Sequence, residues 1–309
     1  MCTGGGDGGG DTGLTAGASG TGGLVFWQVR VPRVLVGYAA GAALALAGLV
    51  FQAVFRNPMA TPFTLGVSSG AACGAALAVK TGVVLEIAGY SSVPVFAFLG
   101  AAATIALVFG LSRACGDFST DIMLLSGVAL SFFFSAVIMA VQYMSDFTGS
   151  YQLVRWLMGD LNTVGYARPV ELSVLLAATV AVVACHARTL DLMLAGEDFA
   201  HSRGVDVKRS RMLLLGAVSL VTGGVVALCG PIGFVGMMIP QLLKLAVGHH
   251  HVRLVPLSLA VGGAFLALCD WAARTVIAPA EIPVGILTAL LGGPFFLWML
   301  IRVRKGRLS

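Results

Sequence analysis

The chain has 309 residues, of which 58% are hydrophobic and only 11% are charged, and its mean hydropathy is +0.93. A soluble domain carries about a quarter of its residues as charged side chains, so this composition excludes a soluble protein and predicts an integral membrane protein. The formal net charge of +5 is too small to indicate a nucleic-acid partner.

The first 23 residues are Gly-rich and lack both a basic segment and an apolar core, so they do not form a signal peptide. This composition predicts a disordered tail over residues 1–23. We expect residues 24–309 to form a single transmembrane domain.

Nine apolar runs of spanning length follow the tail, which predicts an all-α, polytopic transmembrane helical bundle. Their approximate bounds are 34–55, 63–84, 93–112, 121–144, 169–187, 211–229, 232–247, 254–276 and 284–301. The run 232–247 is short and contains Pro240, so we expect it to be tilted or broken. Residues 150–169 mix polar and aromatic side chains, which predicts an interfacial helix with Tyr151, Trp156 and Tyr166 at headgroup level.

The longest charged interruption covers residues 188–211. A charge at the centre of a membrane helix costs about 2.5–3.5 kcal/mol, so this segment is predicted to lie in water between two spans. Its apolar residues recur at helical spacing and are punctuated by Gly196 and Gly204, which predicts two short helices. These observations leave two interpretations open: a solvated loop, or a docking element for a soluble partner.

The basic residues predict an orientation. If residues 188–211 are cytoplasmic and the spans alternate, 13 of the 19 Lys and Arg residues lie on the cytoplasmic side and 6 lie outside. The positive-inside rule favours this arrangement. It places the C-terminus inside and, with nine spans, the N-terminus outside.

Motifs for catalysis, metal binding and nucleotide binding are weak or missing. Gly66–Gly70 fits the G-x-S-x-G pattern of serine hydrolases, but it begins a membrane helix rather than following a strand, so a hydrolase is disfavoured. The run His249–His251 cannot share one helical face, so a solvated loop is favoured over a metal site. The six cysteines lack metal-binding spacing, and no P-loop motif occurs. We therefore predict no catalytic residue, no metal and no cofactor.

Ionisable residues are rare within the predicted spans. Asp270 and Arg274 lie one helical turn apart near a span end and are expected to pair. No carboxylate lies clearly at mid-membrane, so an ion-coupled carrier lacks its usual residues. A partner-free secondary transporter or channel remains the alternative interpretation.

Four segments of the chain resemble one family of membrane proteins. The segments are FWQVRVPRVLVGYAAGAALALAGLVFQAVFRNPMATPFTLGVSSGA, LMLAGEDFAHSRGVDV, CGPIGFVGMMIPQLLKL and EIPVGILTALLGGPFFLWML. They resemble, in order and spacing, the permeases of ABC importers for iron-siderophore, haem and cobalamin. The resemblance runs from about residue 24 to residue 305.

The resemblance implies a function and a set of partners. It implies the membrane-spanning subunit of an ATP-driven importer for an iron-siderophore, haem or cobalamin, working as a homodimer by alternating access. The implied partners are a separate ABC ATPase dimer, a periplasmic or lipid-anchored substrate-binding protein and membrane lipid. The implied location is the bacterial cytoplasmic (inner) membrane.

The resemblance also assigns roles to particular residues. The ATPase-coupling residues are Gly196, Glu197, Ala200, Arg203 and Gly204. The arginines expected to face the binding protein are Arg30, Arg33 and Arg274. Residues that we assign to the transport pathway or to helix packing are Gln52, Arg56, Asn57, Pro58, Gly66, Ser68 and Gly70.

The sequence departs from the family pattern in two respects. Family members have ten spans, and the first is expected to be missing here because only the Gly-rich tail precedes FWQVR. Three alternatives remain open: the true start lies upstream, the first helix is dispensable, or it is supplied otherwise. The usual Pro-His and Arg of the GPIGF block are replaced by Pro240-Gln241 and Lys244, and Met59 replaces the usual Leu of the RNPLA string. The missing span leaves the packing of the first helices open.

Overall fold

The computed structural model describes residues 23–82, 92–115, 119–276 and 281–306. The predicted disordered tail, residues 1–23, lies outside the described residues except for Gly23. Within the described ranges the fold consists of twelve α-helices. They are α1 (Val31–Val54, preceded by a π-helical turn, Phe26–Arg30), α2 (Val67–Thr81), α3 (Ser92–Ala114), α4 (Thr120–Tyr143), α5 (Phe147–Leu157), α6 (Ala167–Cys185), α7 (Ala187–Ala195), α8 (Glu197–Ser202), α9 (Val207–Cys229), α10 (Val235–Val247), α11 (His251–Thr275) and α12 (Val284–Gly306).

Each of the nine predicted apolar runs contains a helix, so the prediction of an all-α transmembrane bundle is confirmed. Six of these helices are long and apolar enough to cross a membrane: α1 with its preceding turn, α3, α4, α6, α9 and α11. Helices α2 and α10 and the apolar part of α12 are shorter than a full span. The predicted interfacial segment contains the amphipathic helix α5, and its depth in the membrane stays a prediction.

Two of the predicted runs are interrupted where the sequence did not indicate it. The run 63–84 is not one helix, because Pro62–Leu65 forms a 3-10 turn and Gly66 has a φ of 79° before α2 begins. The run 232–247 was predicted to be tilted or broken because of Pro240. It is not broken there, because α10 continues through that residue, and the tilt stays a prediction. The interruption lies upstream, where Phe234 adopts a φ of 66° at the start of α10.

Helix α1 is the centre of the bundle, and its side chains are buried along nearly its whole length. Small residues allow this because they let neighbouring backbones come into contact. A Cβ atom at Gly41 would lie 2.3 Å from the carbonyl oxygen of Gly262 in α11. A Cβ atom at Gly48 would lie 1.7 Å from the carbonyl oxygen of Gly236 in α10. Helices α10 and α11 therefore meet α1 at backbone distance.

Two glycines of α2, spaced four residues apart, also contact a neighbouring backbone. A Cβ atom at Gly70 would lie 2.7 Å from the carbonyl oxygen of Gly100, and one at Gly74 would lie 2.1 Å from that of Phe96. Both contacts are with α3. Small residues at these positions therefore let α2 and α3 pack closely.

Helix α4 lies at the periphery, with only 17% of its most apolar stretch buried. Large apolar side chains on it are exposed, including Phe132 (73%), Phe133 (61%) and Met139 (68%). In a membrane protein such a face contacts lipid or another chain.

Candidate functional site

The two short helices predicted within residues 188–211 are present as α7 and α8, which meet at Gly196. We call α7 and α8 together the coupling segment. Gly196 has a φ of 143° and Gly204, just after α8, has a φ of 79°, values that L side chains rarely adopt. Ala200 is fully buried, and its carbonyl accepts hydrogen bonds from the backbone N–H groups of Arg203 and Val205. These bonds close the segment into a compact turn.

The outer surface of α8 is charged and aromatic. The Arg203 guanidinium lies 5.4 Å from the centre of the Phe199 ring, and both side chains are exposed. Glu197 forms an ion pair with Arg211 of α9. Arg211 is only 3% exposed, so the ion pair joins α8 to a buried side chain of α9, and the placement of residues 188–211 in water stays a prediction.

Arg56 connects the end of α1 to the coupling segment. It has a φ of 48°, and its Nε donates a hydrogen bond to the carbonyl of Met193 at 3.1 Å. Met193 lies in the last turn of α7, where backbone carbonyls have no partner within the helix. A cation is also favoured at a helix C-terminus. Arg56, two residues beyond the end of α1, therefore caps the C-terminus of α7.

A second connection joins the coupling segment to α11. The Asp191 carboxylate accepts a hydrogen bond from the backbone N–H of His251 at 3.0 Å and contacts the His251 Nδ1 at 2.6 Å. The prediction of a solvated histidine loop was wrong for His251, which is fully buried, whereas His249 and His250 are exposed. Sequence reasoning missed Asp191 and His251 because they lie 60 residues apart.

Gln52 and Pro58, two of the predicted pathway residues, meet in a polar cluster. The Gln52 Oε1 accepts hydrogen bonds from Gln241 and Lys244, each at 2.8 Å. Gln241 also donates to the Pro58 carbonyl at 3.3 Å. Gln241 and Lys244 are two of the positions at which the chain departs from the family pattern. In this structure both bond Gln52, so they connect α10 to α1.

The other predicted pathway residues lie elsewhere. Asn57 accepts a hydrogen bond from the Met59 backbone and stabilises the turn after α1. A Cβ atom at Gly66 would lie 3.0 Å from the carbonyl oxygen of Gly127 in α4, and Gly70 contacts α3. Ser68 is partly exposed on the first turn of α2. The G-x-S-x-G pattern therefore begins at a left-handed glycine after a 3-10 turn, without the strand that a nucleophile elbow requires.

A cavity of about 310 Å³ lies between the two interruptions of regular helix. Non-helical backbone at membrane depth is tolerated only where it is buried in protein or lines a cavity. The cavity is lined by Leu44, Met59, Thr61, Pro62, Phe63, Thr64, Gly233, Phe234, Gly236 and Met237. Among the described residues, no group of three or more His, Cys, Asp or Glu side chains is arranged to hold a metal ion.

The three arginines predicted to face a binding protein line one cavity of about 560 Å³ at the other end of α1. Arg30 is exposed, whereas Arg33 is 6% exposed. The Arg33 guanidinium donates to both carboxylate oxygens of Asp270 at 3.0–3.2 Å. Asp270 also contacts Arg274 at 3.1 Å, so the predicted pairing of these two residues is confirmed.

The Arg33 Nη1 group connects the Arg33–Asp270–Arg274 cluster to the loops that contain Asn162 and Glu281. It bonds to the side chain of Asn162 and to Glu281 at 3.0 Å. Asp270 is 2% exposed and lies between two arginines, so its charge is balanced within the protein. Arg33 is therefore already neutralised, whereas Arg30 is exposed and Arg274 is partly exposed at the surface.

The chain is similar over most of its length to membrane permeases of known families. Residues 12–302 match the model of the FecCD transport family. The chain is 39% identical over 286 residues to the hemin transport system permease protein HmuU of Yersinia pestis, covering 92% of this chain and 85% of that protein. It is 38% identical over 289 residues to the vitamin B12 import system permease protein BtuC of Yersinia pseudotuberculosis, covering 92% and 84%.

A solved structure of a metal-chelate type ABC transporter in an inward-facing conformation matches with a TM-score of 0.85 and 34% identity, covering 92% of this chain and 89% of that one. These relatives favour an ABC importer over the partner-free carrier or channel that composition alone leaves open. The chain belongs to the FecCD transport family and is the membrane-spanning permease subunit of an ABC importer.

Proposed function

We propose that this permease carries an iron-siderophore, haem or a corrinoid across the bacterial cytoplasmic membrane. The names of its relatives support this substrate class, because they include a hemin permease, a vitamin B12 permease and a metal-chelate type transporter. The cavity between the two interrupted helices is a candidate part of the pathway. The charge distribution supports an orientation with the coupling segment and the C-terminus in the cytoplasm.

Helix α8 of the coupling segment, with the turns at Gly196 and Gly204 on either side of it, is proposed as the docking site of the ATPase dimer. The observation that carries this proposal is that α8 is compact, has exposed charged side chains and is turned at Gly196 and Gly204. Arg203 and Phe199 form its exposed surface. Exposed charge combined with an aromatic side chain is typical of a surface that binds a soluble protein.

Replacing Gly196 with valine is expected to release the ATPase. Valine at a φ of 143° is strained, so the turn between α7 and α8 should reorganise. Native mass spectrometry of the affinity-purified chain should show two permease and two ATPase subunits for the unaltered protein and no ATPase for the variant. Gly110→Ala is a suitable control, because a Cβ atom there meets nothing within 4 Å. Full ATPase retention by the Gly196 variant would contradict the docking role.

The cluster at the other end of α1 is proposed as the docking surface of the substrate-binding protein. Arg30 and Arg274 form its rim, and Arg33 lies behind them and holds Asp270. Rim charges act mainly on the rate and orientation of association. Acidic side chains on the binding protein are the complementary partners.

Charge reversal at Arg30 tests this surface. Arg30→Glu should weaken binding of the substrate-binding protein by about tenfold, mainly through slower association that depends on salt concentration. The measurement is biolayer interferometry on the transporter in lipid nanodiscs at two salt concentrations. Arg253→Glu is the matched control, because Arg253 is an exposed arginine at the opposite end of the bundle. Unchanged association kinetics for Arg30→Glu would argue against this docking surface.

A second copy of the chain is proposed to cover α4. This helix is the least buried of the six spans, and its exposed face carries Phe132 and Phe133. An apolar face is also compatible with lipid, so the stoichiometry measured by native mass spectrometry decides between the two. A single permease copy in the intact complex would leave α4 facing lipid.

A further inference from the structure

We propose that α1 and α11 form one rigid strut that moves α7, and that the coupling segment bends at Gly196 when the strut shifts relative to α9. This inference rests on the proposed function, because it assigns the residues through which docking at one end reaches the ATPase at the other. Three sets of contacts carry it: contacts along the strut, contacts at its outer end and contacts at the coupling segment.

Along their length, α1 and α11 touch through backbone. A Cβ atom at Gly262 would lie 2.4 Å from the Ala45 Cβ and 2.7 Å from the carbonyl oxygen of Gly41. One helical position further, a Cβ atom at Gly263 would meet the Tyr38 ring at 2.7 Å. Packed surfaces of this kind have discrete arrangements rather than sliding continuously. The two helices are therefore expected to move as one body.

At the outer end, the same two helices are joined by a buried ion pair. Arg33 is in the first turn of α1 and Asp270 is in the last two turns of α11. Two guanidinium nitrogens of Arg33 contact the carboxylate, and both side chains are less than a tenth exposed. Bidentate arginine–carboxylate pairs fix orientation as well as distance. This end of the strut lies directly beneath the proposed docking surface.

At the inner end, both members of the strut hold α7. Helix α11 has no side-chain cap from its own N-cap residue, His250, and the acceptor comes from Asp191 of α7 instead. Arg56, just beyond the end of α1, caps the last turn of α7 at Met193. A carboxylate at a helix N-terminus and a cation at a helix C-terminus are both favoured by the helix dipole. Asp191 of α7 caps α11, and Arg56 beyond α1 caps α7. These two hydrogen bonds hold α7 and the strut together, so we expect them to move together.

Helix α8 is held by a different element. Glu197 in its first turn forms an ion pair with Arg211 of α9, so α8 follows α9 while α7 follows the strut. Gly196 lies between these two attachments with a φ of 143°, and short junctions of this kind absorb the change in φ and ψ during a hinge motion. A shift of the strut relative to α9 is thereby converted into a change of angle between α7 and α8.

The test compares Asp191→Ala with Asp191→Asn in the full transporter, reconstituted in nanodiscs with its ATPase and its substrate-loaded binding protein. Asparagine keeps an oxygen acceptor for the α11 cap, whereas alanine removes it. We expect Asp191→Ala to retain the ATPase and to bind the binding protein normally, while stimulation of ATP hydrolysis by the binding protein falls about tenfold, the scale of a typical coupling between two sites. Asp191→Asn should retain most of the stimulation. Asp121→Ala, which removes an exposed carboxylate from the first turn of α4, is the control.

Distances between pairs of spin labels, measured in a chain that keeps Asp191, test the strut independently of how well Asp191→Ala assembles. Spin labels at Arg188→Cys on α7 and Arg253→Cys on α11 should keep one distance with and without ATP. Labels at Arg188→Cys on α7 and at Lys208→Cys in the first turn of α9 should change theirs, because the strut shifts relative to α9. The background for both pairs lacks the exposed Cys115 and Cys185.

The outcomes separate the inference from the function on which it rests. Full stimulation in Asp191→Ala, or a changing distance between positions 188 and 253, would overturn the strut while leaving an ABC importer. An unaltered chain that retains no ATPase, or that no substrate-loaded binding protein stimulates, would overturn the proposed docking sites themselves.

Discussion

Replacing Asp270 with alanine should lower the free energy of unfolding by about 3–5 kcal/mol, because it leaves buried charge without its partner. Asp270 is 2% exposed and is the shared acceptor for Arg33 and Arg274. Without it, the buried Arg33 guanidinium keeps as acceptors, among the described residues, Asn162 and the half-exposed Glu281. Thermal unfolding of the purified protein in detergent measures the loss as a lower Tm.

Glu281→Gln provides the matched comparison within the same cluster. Glu281 contacts the same arginine at 3.0 Å, but its side chain is 49% exposed. An exposed partner of this kind contributes about 0–1 kcal/mol, so the Tm should hardly change. Equal shifts for the two variants would show that burial does not determine the strength of these ion pairs.

Replacing Gly48 with alanine should be the most damaging single methyl addition in α1. The added Cβ would lie 1.7 Å from the carbonyl oxygen of Gly236 and 2.6 Å from its Cα, so α1 and α10 must separate. Overpacking typically costs about 1–3 kcal/mol and sometimes more, and this clash is with backbone that cannot rotate away. Alanine stabilises a helix by about 1 kcal/mol relative to glycine, which offsets part of the cost of the clash. Any net loss of stability in the Gly48 variant is therefore a lower limit on that cost.

Gly216→Ala in α9 isolates that helix-propensity effect. A Cβ atom at Gly216 meets nothing within 4 Å, so this variant should unfold at the same temperature as the unaltered protein or slightly higher. A Gly48 variant as stable as the Gly216 variant would mean that α1 and α10 are not in backbone contact.

Much of the fold could be predicted from the sequence because apolar runs and glycine spacing are local signals. The nine runs all contain helices, and Gly196 and Gly204 mark the ends of the two short helices. The pairing of Asp270 with Arg274 also follows from local spacing, because residues four apart share one helical face.

The contacts that hold the candidate site together could not be predicted in the same way. Asp191 and His251 are 60 residues apart, and Arg33 and Asp270 are 237 residues apart. No periodic pattern joins such positions. The positive φ values of Arg56 and Phe234 were also hidden, because neither residue type favours that conformation. Tertiary contacts stabilise these turns where local preference does not.

The burial of α1 has a consequence for how the chain is assembled during synthesis. Helix α1 precedes its backbone partners Gly236 and Gly262 by nearly 190 residues or more, and synthesis proceeds at about 5–20 residues per second. Helix α1, which is central in the folded bundle, is therefore made about 10–40 s before α10 and α11 are complete. During that interval its glycine faces contact lipid or the insertion machinery, and α10 and α11 pack against it late in synthesis.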